Sequence, residues 1–132
     1  MANSVIDELL QLNGRLLASI ASKDWATYQE LCDPSLTSLE PEAKGQLIEG
    51  LEFHRWYFNL TGNPGHHNTT MCSPRVRVLG EKGDVAVIAY VRLSQRVGMD
   101  GVPATMAVEE TRVWQRQNGR WKHVHFHRSI PG

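Results

Sequence analysis

Apolar residues at Val5, Ile6, Leu9, Leu10, Leu12, Leu16, Leu17 and Ile20 recur at intervals of three and four. That spacing predicts an amphipathic helix over 5–20 with one broad face turned to a core. Residues 22–24 interrupt it. Trp25, Tyr28 and Leu31 then fall at i, i+3 and i+6, a second short helix ended by Asp33-Pro34, where proline offers no N–H. From Ser35 the pattern turns extended ("SLTSLEPEA"), and after "GQLIEG" the run "LEFHRWYFNL" predicts a third helix closed by the loop "TGNPGHHN". Beyond it the chain alternates in the manner of strands over roughly 69–79, 84–97, 104–116 and 120–128. The segments "GEKGD", "GMDGVP" and "QNG" separate these runs, the last being a tight hairpin signal. Helices followed by a meandering antiparallel sheet define an α+β fold. A strongly bent sheet wrapped around the long N-terminal helix, a cone with one open mouth, fits the pattern.

Composition narrows the function classes. The 132 residues, 41% hydrophobic and 21% charged, make one globular domain over 1–132, neither disordered nor membrane-embedded. Zero formal net charge argues against a general nucleic-acid binder and permits close self-association. Cys32 and Cys72 form no CxxC pair and suit free thiols in a reducing compartment. The N-terminus lacks a basic region followed by an apolar one, so no signal peptide is expected and a cytoplasmic location is the default. The sequons at Asn59 and Asn68 are then chance matches.

Strand parity points to the candidate chemistry. Arg92 shares a face with Tyr90, Ile88 and Ala86; Arg112 shares one with Trp114, Glu110, Val108 and Met106; Arg128 shares one with Phe126 and Val124. His54, one helical turn from Leu51 and Phe58, can join the same interior. Each arginine alone can be read as a strand-end side chain snorkelling to water, with Glu110 pairing one of them. Three on one apolar face favour another reading. Two guanidinium groups about 6 Å apart repel by about 3 kcal/mol at an effective dielectric near 20. Set against the single carboxylate of Glu110, they predict an anion-accepting pocket, since arginine forks match carboxylates. Removing one arginine would then relieve crowding in the empty protein.

His123, His125 and His127 take the opposite parity from Val124, Phe126 and Arg128. Alternate residues of a straight strand lie about 6.5 Å apart and converge poorly on one ion, so no metal site is expected. A partly buried polar face at a subunit contact is the expectation instead. No cofactor is called for.

The segments "DWATYQELCDPSLTSLEPEAKGQLIEGLEFHRWYF", "IAYVRLSQ" and "EETRVWQRQNGRWKHVHFHRS" resemble the association (hub) domain of calcium/calmodulin-dependent protein kinase II, across nearly the whole chain. The resemblance implies an NTF2-like cone that dimerises and assembles into two stacked rings of a dozen or more copies. The implied partner is the chain itself, with hub domains of related kinases as further candidates. It also implies an arginine-lined pocket at Arg92, Arg112 and Arg128 with His54 beside them, able to take a small carboxylate. Together with Glu110 and Tyr90 these are the candidate ligand-binding residues. Two features depart from the kinase pattern. No glycine-rich phosphate loop, catalytic-loop Asp motif or calmodulin-binding helix occurs, which suggests either a free-standing hub homologue or a hub excised from a longer protein. Loops 59–68 and 80–84 differ in length and content, leaving the subunit number open. The rival is an enzyme, because NTF2-like cones include isomerases, dehydratases, epoxide hydrolases and cyclases. Its acid/base candidates would be Glu110 and His54, but arginines lower the pKa of Glu110 and make it a weak base.

Overall fold

A computed structural model describes residues 4–62 and 65–132. Helix α1 spans Ser4–Ser22 and α2 spans Trp25–Leu31, with Asp24 capping α2 by accepting a hydrogen bond from the Thr27 N–H. Strand β1 (Cys32–Leu39) leads through a 3-10 turn (Pro41–Ala43) to the two-residue strand β2 (Ile48–Glu49) and to α3 (Glu52–Phe58). Four long strands follow: β3 (His67–Leu79), β4 (Val85–Val97), β5 (Pro103–Gln117) and β6 (Arg120–Ser129). Asn63 and Pro64 of the expected "TGNPGHHN" loop lie outside the described residues.

The six strands form one sheet in the order β2-β1-β6-β5-β4-β3. The meander β3 to β6 is antiparallel as expected, but β1 is added to it parallel to β6. "SLTSLEPEA" therefore supplies a sheet strand and not merely an extended connection. The sheet curls over α1, whose Leu9, Asn13, Leu16 and Leu17 are buried. Ile6, placed by periodicity on the same face, is 37% exposed, while its neighbour Val5 packs against the core. The core is completed by Ala86, Ile88 and Tyr90 of β4, Trp114 of β5, and Trp121 and Phe126 of β6. The β4 and β5 parities are those read from the sequence. Met106, at the far end of β5, stands 57% exposed.

β6 breaks the expected alternation. Trp114 pairs with His123 but Val113 pairs with His125, so Val124 is an extra residue. On its other side β6 meets a separate irregularity, where Cys32 pairs with His123 and Thr37 with His125, so the extra residues lie on β1. One inserted residue inverts the side-chain parity along a strand. Trp121 and His123 face inward before the bulge, and Phe126 faces inward after it. The three histidines thus do not share a face: His123 is wholly buried, His125 half-buried and His127 exposed.

Candidate functional site

The site is built on the inner face of β4, β5 and β6, opposite α3 and the 3-10 turn. Alternation along β4 and β5 brings Tyr90, Arg92, Glu110 and Arg112 to one face, and the bulge at Val124 keeps Arg128 beside them. Glu110 is the hub of the cluster. Its Oε1 accepts from Arg112 Nη2 at 3.1 Å and from the Tyr90 hydroxyl at 2.6 Å. Its Oε2 lies 3.2 Å from Arg92 Nε and 3.4 Å from Arg128 Nε. Both Oε2 contacts are ion pairs without hydrogen-bond geometry.

Arg112 is 1% exposed and almost fully engaged. Its Nε donates to the Tyr90 hydroxyl at 3.0 Å, its Nη1 lies 3.4 Å from His123 Nε2, and its Cζ rests 4.5 Å from the centre of the Phe126 ring. An arginine only donates, so His123 Nε2 accepts and the ring proton sits on Nδ1, directed at Cys32 Sγ 3.4 Å away. Behind them Asn13 links the helix to the sheet. It donates to the Tyr90 hydroxyl at 3.1 Å and accepts from Trp114 Nε1 at 3.1 Å.

In front of the arginines opens a cavity of roughly 300 Å³, lined by Arg92, Arg96, Arg112, Arg128, Glu40, Glu42, His54 and the apolar Ile20, Tyr57, Phe58 and Phe126. All six sequence candidates meet here, but Tyr90 and Glu110 stand behind the arginines and do not line the space. Two carboxylates not anticipated from the sequence do line it. Glu42 takes Arg128 Nη1 on both oxygens, at 2.7 and 2.8 Å. Glu40 accepts from Ser38 Oγ at 3.1 Å, with its Oε2 3.7 Å from His54 Nδ1. The count of one carboxylate against three arginines is thereby corrected to three against three. The charge left over belongs to Arg96, which makes no ion pair among the described residues. Both signals were present: Glu40 and Glu42 flank the proline of "EPEA", and Arg96 shares the parity of Arg92 on β4.

These environments set the protonation states. Burial alone would raise Glu110, but the surrounding arginines and the Tyr90 hydroxyl outweigh it and hold the carboxyl below the usual range. Burial likewise opposes the charge on Arg112, yet Glu110 more than offsets it and keeps the guanidinium charged. Glu40 is pushed up by burial, with Ser38 and Arg128 only partly compensating. His54 is held down to about 4 by burial and by the charges of Arg112 and Arg128. Burial and Arg112 also keep His123 neutral, and burial pushes the Cys32 thiol up to about 12. The arrangement suits holding an anion. It suits proton abstraction poorly, since Glu110 is too acidic and enclosed and His54 too weakly basic at neutral pH. No cluster of three metal-ligating side chains occurs among the described residues. No helix among them is long and apolar enough to cross a membrane.

The comparisons agree with this architecture. The family model for the calcium/calmodulin-dependent protein kinase II association domain matches residues 6–132. The delta subunit of that kinase from Oryctolagus cuniculus is 45% identical over 126 residues, which are 92% of this chain but 23% of the relative. The chain thus spans about a quarter of that kinase's length. The hub homology domain from Chlamydomonas reinhardtii is 45% identical and superposes with a TM-score of 0.90 over 98% of this chain and 100% of that one. An NTF2-like superfamily protein from Salmonella enterica, 22% identical, matches 100% of this chain and 94% of its own with a TM-score of 0.77, a likeness of fold. By sequence and by fold, the chain belongs to the calcium/calmodulin-dependent protein kinase II association-domain family, whose members are non-catalytic hubs.

Proposed function

We propose that this chain is a homo-oligomerisation scaffold that assembles into stacked rings, and that its cavity takes up a small carboxylate. The single observation that carries the scaffold reading is the family match over residues 6–132. Exposed apolar side chains support it. Val97, Met99, Val102 and Met106 crowd the β4–β5 hairpin, with Trp56 and Leu60 on and after α3, and a monomer would leave all of them in water. Hub domains of related kinases are candidate partners through the same surfaces. The carboxylate reading rests on four guanidinium groups around one partly apolar cavity.

Native mass spectrometry at micromolar concentration tests the scaffold and is expected to give a closed assembly of many copies. A monomer or dimer throughout that range rules it out. Melting scans with carboxylates and their uncharged amides test the cavity. A ligand at a hundred times its Kd stabilises the folded state by about 2.7 kcal/mol per site. Amides equalling carboxylates would remove the anion from the proposal.

A further inference from the structure

The bulge at Val124 undoes the argument against a metal for two of the three histidines of β6. His123 points into the core, where Arg112 and Cys32 take both of its ring nitrogens. His125 and His127 lie beyond the bulge, and Phe126 between them is buried in the core. Both rings therefore stand on the outer face of the sheet. Three alternate residues of a strand span about 13 Å, too far for one ion, whereas two span about 6.5 Å. Nitrogens bound to one ion at about 2 Å lie no more than about 4 Å apart. Two imidazoles leaning together along the strand close that gap.

The ring of His125 is already oriented. Its Nδ1 lies 2.8 Å from Thr37 Oγ1 on the neighbouring strand β1, and the Thr37 backbone favours a proton on this ring. Nδ1 then carries the proton and Nε2 keeps its lone pair, as in metal-ligating histidines whose second nitrogen donates to a nearby acceptor. Burial and the nearby charge of His127 hold His125 below its ordinary pKa, so the ring is neutral and able to ligate at neutral pH. His127 is exposed and makes no side-chain hydrogen bond among the described residues. It lines a shallow depression of about 270 Å³ with Glu109, Thr111 and Ser129. Thr111 is its cross-strand partner, so Glu109, two residues along β5, shares the same face and favours a cation there. Lys122 of β6 is turned away to the Glu30 carbonyl.

We infer that His125 and His127 together chelate a divalent transition-metal cation on the outer face of the sheet. The ligand class is an ion that accepts imidazole, with Cu(II) ahead of Ni(II) and Zn(II) in the usual order of affinities. Two protein nitrogens fall short of a three-residue cluster, of which there is none among the described residues. Water fills the remaining positions, so the ion is exchangeable and the fold does not depend on it. Thr37 is a positioning residue that orients His125 without touching the ion.

The experiment titrates the assembled chain with copper(II) chloride, followed by calorimetry and by electron paramagnetic resonance. The variants are His127→Gln, Thr37→Val and, as the control, His67→Gln. His67 is also exposed but belongs to the other histidine pair of the chain, His66-His67. Wild type and His67→Gln are expected to bind one Cu(II) per chain alike, with two imidazole nitrogens in the spectrum. His127→Gln is expected to bind about tenfold or more weakly and to show one nitrogen. Thr37→Val is expected to weaken binding by about tenfold, the lower end for loss of an orienting partner, while keeping two nitrogens. Equal binding by His127→Gln and wild type overturns the chelate. A loss confined to His67→Gln places the ion on the loop and overturns it too. Binding to wild type no tighter than millimolar ends the proposal and leaves the scaffold and cavity readings standing.

Discussion

Arg112 and Glu110 meet inside the sheet with Nη2 3.1 Å from Oε1, their side chains 1% and 0% exposed. A pair this dry gains little over an apolar replacement of both partners, but it punishes loss of one, which strands the other charge away from water. Arg112→Met and Glu110→Gln are each expected to lower unfolding stability by about 3–5 kcal/mol. The double variant Arg112→Met/Glu110→Leu should lose less than the sum of the singles. Chemical denaturation across the full cycle checks this. Additive losses would show that the two side chains act independently.

The buried ion pair argues against relief of crowding on removing the arginine at this position. Parity correctly gathered Arg92, Arg112, Glu110 and Tyr90 on one face, because β4 and β5 pair without a register shift, and Arg128 joins them because it shares the segment after the bulge with Phe126. Parity is silent about what reaches that face from elsewhere. Glu40 and Glu42 arrive at and within a 3-10 turn, after a strand whose paired residues on β6 lie 88 or more residues away along the chain. The three long-strand hairpins were legible through their glycine-rich turns. The parallel β1–β6 pairing was not, since no turn connects those strands. Asn13 was hidden for a different reason: a polar residue among leucines on α1 reads as a gap in the stripe until Tyr90 and Trp114 are seen to bond it.

Glu42 takes Nη1 of Arg128 on both of its oxygens and so competes with any ligand for that nitrogen. Glu42→Gln removes that internal competitor and adds one net positive charge to the cavity. The pair is partly exposed, so stability should change by about 1 kcal/mol or less. Affinity for a small carboxylate such as phenylacetate should rise a few-fold at low salt and fall back as ionic strength shortens the screening length. Affinity that is unchanged or lower in the variant would mean that Glu42 does not compete.

Acid should unfold this protein through its buried histidines before its carboxylates. His54 is held down to about 4 by burial, Arg112 and Arg128, against about 6.5 when unfolded. Between those values the unfolded chain binds the proton and the folded one does not. Stability is therefore full above pH 6.5 and falls as pH drops toward 4, by about 3 kcal/mol for this one group. His123, wholly buried beside Arg112, pulls in the same direction. Glu110, held below its unfolded value, adds a further loss only at pH below about 4.3. Denaturation midpoints from pH 7.5 to 5 check this, and His54→Gln should flatten part of the slope. A wild-type midpoint independent of pH over that window would contradict the buried, neutral state of both rings.

Asn13 bridges the Tyr90 hydroxyl and Trp114 Nε1, both inside the core. Asn13→Leu leaves the indole N–H without its acceptor and should cost about 1–3 kcal/mol. Its effect should also reach the cavity, because Tyr90 orients both Glu110 and Arg112. Weaker phenylacetate binding should accompany the lost stability. A destabilised variant with unaltered binding would confine Asn13 to the core.

The bulge at Val124 allows β6 to bury Trp121 and His123 on one side of it and Phe126 on the other, with Arg128 still reaching Glu110. Deleting Val124 restores strict alternation, and the strand must then turn one of its halves outward. Either Trp121 and His123 lose the core, or Phe126 leaves Arg112 without its ring and Arg128 swings away from the cavity. Burial of one large aromatic is worth about 1.5–3 kcal/mol, and each choice also breaks buried polar contacts. The deletion should therefore abolish cooperative unfolding or assembly. Val124→Ala keeps the residue count, and because this side chain is half-buried it should cost no more than about 2 kcal/mol. Circular dichroism melts and native mass spectra of the two variants make the comparison. A deletion variant that melts and assembles like wild type would show that the inserted residue does not set which side chains face the cavity.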